Sequence, residues 1–304
     1  MRIVLRLRRT SRSVPACKMM EKKHDILICV DSDGCAMDTM NIKHMKCFGP
    51  CLVEEWGLEQ WREDIQKRWD EINLYTRSRG INRFKGLAKM LEEIDRQYTK
   101  IEGVQALKDW AENSPRLSEA ALKQEWGKNE RDAVCLKKAY EWSREVNRRI
   151  DLLEEAEKLP FAGVKEALTA AGKNADIVVV SSANRSAVLE EWERCGLLDC
   201  VNQVMAQDTG NKAHCIQILL EQGYRPERML MAGDAPGDYE AAVKNHVYFY
   251  PICVGHEEES WKEFTAEAVS RLEQGTYGGS YQSGLVERFF QNLEGGKLYG
   301  FFIG

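Results

Sequence analysis

The stretch Ile26-Leu27-Ile28-Cys29-Val30-Asp31-Ser32-Asp33-Gly34 decides the fold. Its first five residues are apolar without interruption, which predicts a strand buried on both faces of a parallel sheet. Two carboxylates, Asp31 and Asp33, follow this strand, and Gly34 comes next. Ligands of open α/β sheets bind beyond the carboxyl ends of the strands. We therefore expect this strand to deliver two acids to a site, where a metal ion, a shared proton or solvent must relieve their repulsion.

The same stretch has a simpler interpretation, because Asp and Gly are common in ordinary turns. A calcium-binding loop is excluded by the spacing, since that loop needs acids at positions 1, 3 and 5, Gly at position 6 and Glu at position 12. Here Gly34 is fourth, Cys35 is fifth and Ile42 is twelfth. The later segments of the chain decide between a turn and a site.

Three more strand candidates each end in polar residues. They are 176–180, followed by Ser181, Ser182 and Asn184; 201–206, followed by Asp208 and Lys212; and 228–232, followed by Gly233, Asp234 and Asp238. Helical patterns over 161–171, 185–195, 213–222 and 239–245 separate them. Alternating strands and helices predict an α/β fold with a doubly wound, Rossmann-like parallel sheet and right-handed crossovers.

These strand ends resemble the four motifs of the haloacid dehalogenase-like hydrolase superfamily, in the family's order. The motifs match Asp31 with Asp33 and Gly34, then Ser181, then Lys212, and finally Gly233 with Asp234 and Asp238. The resemblance covers roughly residues 24–45 and 158–255. One departure is Cys35, where Thr or Val is usual in the family.

The resemblance implies a set of roles at the predicted site. Asp31 would be the nucleophile that forms an aspartyl-phosphate, and Asp33 would protonate the leaving oxygen and later take a proton from water. Ser181 and Lys212 would bind the phosphoryl oxygens. The expected cofactor is Mg²⁺, which suits carboxylate and phosphate ligands. It would be held by Asp31, Asp234 and the backbone carbonyl of Asp33, with Asp238 orienting Lys212 or a metal-bound water.

Asp33 also discriminates among activities of this family, because a halide leaving group needs no proton. A Mg²⁺-dependent phosphatase acting on a small phosphate monoester is therefore the favoured function, and a dehalogenase is disfavoured. A phosphomutase or phosphotransferase of the same fold is the alternative. A catalytically silent ligand-binding regulator is a third hypothesis, which the intact motifs disfavour.

The connection between the first two motifs is too long for a simple crossover. Residues 45–157 carry helical patterns over 58–73, 84–97, 118–126 and 132–157. They resemble the helical cap that many family members insert after the first motif, which would close over the site and select the substrate. Six of the eight tryptophans lie in this region, and we expect most of them to form its core.

One segment of the predicted cap, residues 77–86, has four cations and no acid. The cations are Arg77, Arg79, Arg83 and Lys85. One interpretation is a substrate-binding loop for an anionic metabolite, because guanidinium groups bind phosphate and carboxylate bidentately. The other is a solvated connection between two helices. Ser182 and Asn184, beside Ser181, are further candidate substrate contacts.

Composition limits the partners. The chain has 304 residues and a formal net charge of −5, which disfavours nucleic acid. No apolar run is long enough to span a bilayer, so no membrane partner is expected. The ten cysteines contain no CxxC pair and are interpreted as reduced thiols of a cytoplasmic protein. The expected partner is a small anionic phosphorylated metabolite.

The predicted domain organisation has four parts. Residues 20–44 and 158–274 form the Rossmann-like core, and 45–157 form the cap. Residues 1–19 hold five arginines and no acid, and they are interpreted as a disordered extension, with an organelle transit peptide as the alternative. Residues 275–304 are a C-terminal tail with a glycine-rich linker over 275–284 and an apolar end over 298–303. That end would dock on the core or on a second copy, so a homodimer stays open.

Overall fold

The computed structural model describes residues 20–127 and 133–294. Its centre is a five-stranded parallel sheet with the strand order β3-β2-β1-β4-β5. The strands are β1 Ile26–Val30, β2 Ala175–Val180, β3 Gln203–Met205, β4 Met229–Gly233 and β5 Tyr248–Pro251. Because β1 pairs with both β2 and β4, it lies in the middle of the sheet, where the strand order reverses. Ligands of doubly wound folds bind at this switch point.

Fourteen α-helices are present among the described residues. They are α1 Met40–Lys43, α2 Gly49–Trp56, α3 Arg62–Leu74, α4 Arg83–Gln97, α5 Val104–Asn113, α6 Glu119–Trp126, α7 Ala133–Asp151, α8 Val164–Ala171, α9 Arg185–Arg194, α10 Lys212–Glu221, α11 Pro236–Lys244, α12 Glu257–Glu263, α13 Val269–Gln274 and α14 Ser280–Glu294. Two π-helical turns, His44–Phe48 and Phe264–Ala268, continue α1 into α2 and α12 into α13.

The sheet is covered on both faces, as its apolar strands require. Ile28 of β1 belongs to the core shared with α8 and α9, whereas Leu27 and Cys29 belong to the core shared with α10, α11 and α14. A strand whose successive side chains all enter a core must be apolar throughout. The prediction of an α/β fold with a doubly wound parallel sheet is therefore confirmed.

Helices α2 to α7, which lie between β1 and α8, build a second hydrophobic core of their own. Trp69 and Trp142 are fully buried in it and pack edge to face, with their ring centroids 5.9 Å apart. Trp110 is also buried there, and the remaining three tryptophans pack against this cluster. The expectation that most of these tryptophans are core residues is confirmed. We call this helical region the cap.

The chain leaves the sheet and returns to it through two adjacent segments. The backbone N–H of Asp38 donates to the carbonyl of Leu159 at 2.8 Å, and that of Phe161 donates to the carbonyl of Ala36 at 3.0 Å. These paired linkers join the cap to the sheet.

The C-terminal part differs from its prediction. A fifth strand, β5, was not predicted, and the expected linker over 275–284 is shorter, because α14 begins at Ser280. Phe289 of α14 packs on Phe249 of β5 with the ring centroids 5.3 Å apart. The described part of the tail is therefore a helix packed on the sheet. The predicted extension over 1–19 and the apolar end over 298–303 lie outside the described residues.

Among residues 20–127 and 133–294, no helix combines the length and the apolar character that crossing a bilayer would need.

Candidate active site

Three buried carboxylates meet at the carboxyl ends of β1 and β4. They belong to Asp31, directly after β1, and to Asp234 and Asp238, directly after β4 and in the first turn of α11. Ligand oxygens of the three side chains lie within 4.8 Å of one another. The backbone N–H of Asp31 donates to the carbonyl of Ala232 at 3.0 Å, so the pairing of the two strands fixes the first acid beside the others.

Lys212 joins two of these acids. Asn211 accepts a hydrogen bond from the backbone of His214 as the N-cap of α10, and this cap places Lys212 at the first position of the helix. The Lys212 Nζ lies 2.8 Å from Asp31 Oδ2 and 2.6 Å from Asp238 Oδ1. Burial alone would lower the pKa of Lys212, but the charges of Asp238 and Asp31 raise it above its ordinary value.

Negative charge at this site is not fully compensated by the side chains. Burial raises the pKa of Asp31 well above its ordinary value, and the repulsion from Asp238 and Asp234 adds to this effect, while Lys212 opposes it. Burial also raises the pKa of Asp234. In addition, Asp234 Oδ1 is buried without a hydrogen-bond partner among the described residues. Three clustered acids with a free carboxylate oxygen are the donor set that a hard divalent cation prefers.

Asp33 has its own partners, separate from the other three acids. Its Oδ1 accepts hydrogen bonds from Thr39 and from Lys43, whose Nζ lies at 2.7 Å. Lys43 also lies 3.5 Å from Glu191 Oε1. Burial alone would raise the pKa of Asp33, but the charge and hydrogen bond of Lys43 and the hydrogen bond of Thr39 lower it. Asp33 is therefore held as a carboxylate. Sequence analysis missed Thr39, Lys43 and Glu191, because no motif or spacing marks them.

Gly34 allows the backbone of the first motif to approach the Asp234 side chain of the fourth motif closely. Its φ of +80° is in the left-handed region, which favours glycine. A Cβ at this position would lie 2.5 Å from Asp234 Oδ2 and 2.8 Å from Arg79 Nη2. Any larger residue would push these two side chains away from β1.

The second motif lies at the end of β2, the neighbour of β1. Ser181 is buried, its N–H donates to the carbonyl of Met205 at 2.9 Å, and its Oγ accepts from the N–H of Ala183 at 3.1 Å. Ser182 and Asn184 are exposed. The Asn184 side chain accepts from the N–H of Ser186 as the N-cap of α9, so it has a structural role at this helix start. Substrate contact by Ser182 and Asn184 stays a prediction.

The four cations of segment 77–86 do not form a single binding surface. Arg77 pairs with Glu294 of α14, Arg83 donates to Ser143 Oγ at 3.2 Å and to Asn147 Oδ1 at 2.7 Å, and Lys85 is exposed. Arg79 alone reaches the clustered acids. Contact of these four cations with an anionic substrate stays a prediction.

Arg79 is the cap residue that enters the site. Its Nε and Nη2 each lie 2.7 Å from Asp234 Oδ2, and its Nε also donates to the backbone carbonyl of Asp234 at 3.1 Å. Its Nη1 donates to the carbonyl of Leu74 at 2.8 Å. The Arg79 side chain is 1% exposed. A guanidinium so deeply buried must be paired, and Asp234 is its partner.

His44 gives a pH-dependent test of this part of the cap. Its Nδ1 accepts a hydrogen bond from Trp69 Nε1 at 3.0 Å. Burial, together with the charges of Arg79 and Arg83, lowers the pKa of His44 from its ordinary value of 6.5 to about 3. As the pH falls below 6.5, the unfolded chain binds this proton and the folded protein does not, so stability is lost progressively down to pH 3.

We expect His44 to account for a loss of about 2 kcal/mol in the free energy of unfolding between pH 6.5 and pH 5. The measurement is urea unfolding of the wild type and of His44→Gln, which can still accept from Trp69. The variant should show a smaller loss over this interval. Equal losses in both proteins would mean that His44 titrates normally.

Comparisons with known proteins agree with this site. A family model described as haloacid dehalogenase-like hydrolase matches residues 104–251, which include Ser181, Lys212, Asp234 and Asp238. The comparison with curated proteins found no significant match. The match begins at residue 104 and does not include Asp31, which the structure places beside Lys212, Asp234 and Asp238.

Three solved structures illustrate the likeness. The haloacid dehalogenase-like family protein SP0104 from Streptococcus pneumoniae is 13% identical, with a TM-score of 0.47, and the match covers 80% of this chain and 91% of that one. The putative HAD-hydrolase YfnB from Bacillus subtilis, solved with bound magnesium, is 13% identical with a TM-score of 0.42, and the match covers 75% of this chain and 86% of that one. A predicted phosphoglycolate phosphatase from Haemophilus somnus is 13% identical with a TM-score of 0.44, and the match covers 75% of this chain and 86% of that one. At such identities and TM-scores the likeness assigns no activity.

The family model and the motif geometry are independent of each other. The model covers the second, third and fourth motifs, and the structure brings the first motif into contact with the third through the Lys212–Asp31 ion pair. Residues 104–251 therefore match the haloacid dehalogenase-like hydrolases, and the structure adds Asp31 to the matched motifs.

Proposed function

We propose that the protein is a Mg²⁺-dependent phosphatase that hydrolyses a small anionic phosphate monoester. The observation that carries this proposal is the arrangement of Asp31 and Asp33. Asp31 is buried beside Lys212 and two more acids, and Asp33 is held separately as a carboxylate. A second acid of this kind can protonate an oxygen leaving group, whereas a halide leaves without a proton.

The residues that would hold Mg²⁺ are Asp31 and Asp234, with Asp238 beside them. Their clustered oxygens and the unpartnered Asp234 Oδ1 fit such an ion. When bound, the ion would screen the repulsion between the Asp31 carboxylate and the anionic phosphoryl group. The predicted contribution of the Asp33 backbone carbonyl remains part of this proposal.

In the first half of the reaction, an Asp31 oxygen forms a bond to phosphorus while the bond from phosphorus to the ester oxygen breaks. Asp33, in its protonated form, gives a proton to the departing oxygen. In the structure Lys43 and Thr39 hold Asp33 as a carboxylate, so its role as an acid requires that these hydrogen bonds rearrange when substrate enters.

In the second half, water attacks phosphorus and the Asp31–phosphorus bond breaks, which releases inorganic phosphate and restores the carboxylate. Asp33 takes the proton from this water, a role for which its lowered pKa prepares it. Lys212 carries the positive charge closest to Asp31, where phosphoryl oxygens would gather. Ser181, at the end of the adjacent strand, would donate to one of them.

Removal of divalent metal is expected to abolish turnover. Without a cation, Asp31 and Asp234 repel both each other and the substrate, and the pKa of Asp31 rises, so the nucleophile is lost. The measurement is phosphate release after treatment with EDTA, which should return on addition of Mg²⁺. Asp234→Asn should need far more Mg²⁺ for the same rate. Full activity of the chelated protein would contradict the proposal.

The substrate class and the alternatives can be tested together with a panel of phosphate monoesters. Release of inorganic phosphate supports a phosphatase. Isomerisation of a sugar phosphate without release would indicate a phosphomutase, and binding without turnover would indicate a regulatory protein.

The nine cysteines within the described residues are free thiols, which supports a reducing compartment such as the cytoplasm. No nucleic acid or membrane is needed for this reaction, and a homodimer remains an open proposal.

A further inference from the structure

We propose that Arg79 is a positioning residue for the metal site, supplied by the cap, so that the site is complete only when the cap is closed. This inference rests on the proposed function, because it concerns how the chain's own residues receive a divalent cation. It assigns Arg79 to Asp234 and not to the substrate, in contrast to its role as a candidate anion-binding residue.

The argument begins with the two oxygens of Asp234. Arg79 Nε and Nη2 both bind Oδ2, at 2.7 Å each, and leave Oδ1 without a partner. A guanidinium placed to neutralise a carboxylate would normally bind both oxygens, one with each nitrogen. Here the fork binds a single oxygen and a backbone carbonyl. The second oxygen, fully buried, is left for another ligand, and only a cation or a donor could stabilise it.

Lys212 likewise binds one carboxylate oxygen of each of the other two acids. Its Nζ binds Oδ2 of Asp31 and Oδ1 of Asp238, and Asp238 Oδ2 accepts from the N–H of Ala235 at 3.1 Å. Each acid therefore has one oxygen bound to a cation. Hydrogen bonds of this kind orient metal-ligating carboxylates in many proteins. Three acids with two cations also leave one net negative charge, so a divalent cation can still be bound.

The position of Arg79 depends on how the cap docks. Arg79 belongs to the turn over 76–81, whose Gly80 has a φ of +70°. A Cβ on Gly80 would lie 2.6 Å from the Cβ of Ala235, the residue after Asp234. Glycine thus permits the turn to approach the fourth motif closely. Arg79 Nη1 is bound to the carbonyl of Leu74 in the cap, so the guanidinium moves with the cap.

Opening the cap would consequently remove the partner of Asp234 Oδ2 and leave this carboxylate free to rotate. Closure and metal binding are then linked, and by reciprocity a bound cation must favour the closed cap. Because of the same linkage, Mg²⁺ would bind only weakly beside Asp31 until the cap closes over a substrate.

The experiment is titration calorimetry with Mg²⁺ alone on the full chain, comparing the wild type with Arg79→Met and Arg79→Lys. We expect Arg79→Met to weaken Mg²⁺ binding by about 10–100-fold, the usual effect of losing a residue that orients a ligand. Arg79→Lys, which keeps the charge but loses the fork, should weaken it less. The matched control is Arg77→Met, which removes an exposed pair with Glu294 and should leave the Mg²⁺ affinity unchanged.

A second variant, Gly80→Ala, keeps Arg79 but disturbs its turn, through the positive φ of residue 80 and through the close approach to Ala235. It should also weaken Mg²⁺ binding, and thermal unfolding of every variant establishes that it is folded. Limited proteolysis at the linkers around 36–38 and 159–161 adds a conformational measurement. Mg²⁺ should protect these linkers in the wild type and protect them less in Gly80→Ala.

The outcomes separate this inference from the proposed function. Equal or tighter Mg²⁺ binding by Arg79→Met, with normal binding by the wild type, overturns the positioning role, and tighter binding would mean that Arg79 competes with the cation. Faster proteolysis of the wild type with Mg²⁺ also overturns it. A wild type that binds no Mg²⁺ overturns the metal dependence of the proposed function, and this inference with it.

Discussion

Asp31→Asn is expected to lower kcat by about 10⁶-fold, the loss that follows removal of a covalent nucleophile from a hydrolase. Asn has nearly the shape of Asp but no carboxylate, so it cannot form the acyl-phosphate bond. The substitution also removes the negative charge that Lys212 Nζ contacts at 2.8 Å. The measurement is phosphate release at saturating substrate and Mg²⁺.

A matched control for this variant is Asp38→Asn, on the linker to the cap. Asp38 is an acid near the site in sequence but outside the group of three clustered carboxylates, so its substitution should leave kcat within a few-fold of the wild type. Thermal unfolding of both variants establishes that they are folded. An Asp31→Asn protein that turns over as fast as Asp38→Asn would show that another residue is the nucleophile.

Asp33→Asn is expected to lower kcat by about 10²–10⁴-fold for an alkyl phosphate, because general acid–base help is lost. An aryl phosphate such as p-nitrophenyl phosphate has a leaving group that departs without a proton. With this ester the first bond-breaking step should be nearly normal, while hydrolysis of the aspartyl-phosphate stays slow. Rapid-mixing kinetics should then show a burst of p-nitrophenol followed by a slow steady state.

The two esters serve as each other's control in this experiment, since both need Asp31. Equal loss for both esters without a burst would mean that Asp33 orients the site but transfers no proton. The contacts of Asp33 with Lys43 and Thr39 make this a fair alternative, which the leaving-group comparison separates from acid–base catalysis.

The sheet and the four motifs could be predicted from the sequence because their signals are local. The predicted strand over residues 26–30 has the same bounds as β1. The apolar runs before Ser181 and Asp234 form β2 and β4. Each buried strand needs apolar side chains on both faces, so it is readable from a few consecutive residues. The strand β5 was missed because it has only four residues and ends in Pro251, a residue that disfavours a strand.

The cap's contribution to the site could not be predicted in the same way. Arg79 and Asp234 are separated by 155 positions in the chain, and nothing local distinguishes Arg79 from Arg77 or Arg83. Their different partners follow from the direction in which each side chain leaves a turn or a helix. Lys43 and Glu191 show the same limit, because an ion pair between distant elements depends on how those elements pack.

Acid-quenched mass spectrometry tests the central claim, a phosphoryl group carried by Asp31, most directly. The wild-type protein with Mg²⁺ and p-nitrophenyl phosphate is stopped in acid during the first turnovers, digested, and the peptides are sequenced. The Asp33→Asn variant should accumulate the intermediate, because its hydrolysis is slowed. We predict one added phosphoryl group on Asp31 in both proteins, more abundant in the variant, and none in Asp31→Asn. Turnover without any phosphorylated peptide, or a phosphoryl group on another residue, would contradict the account.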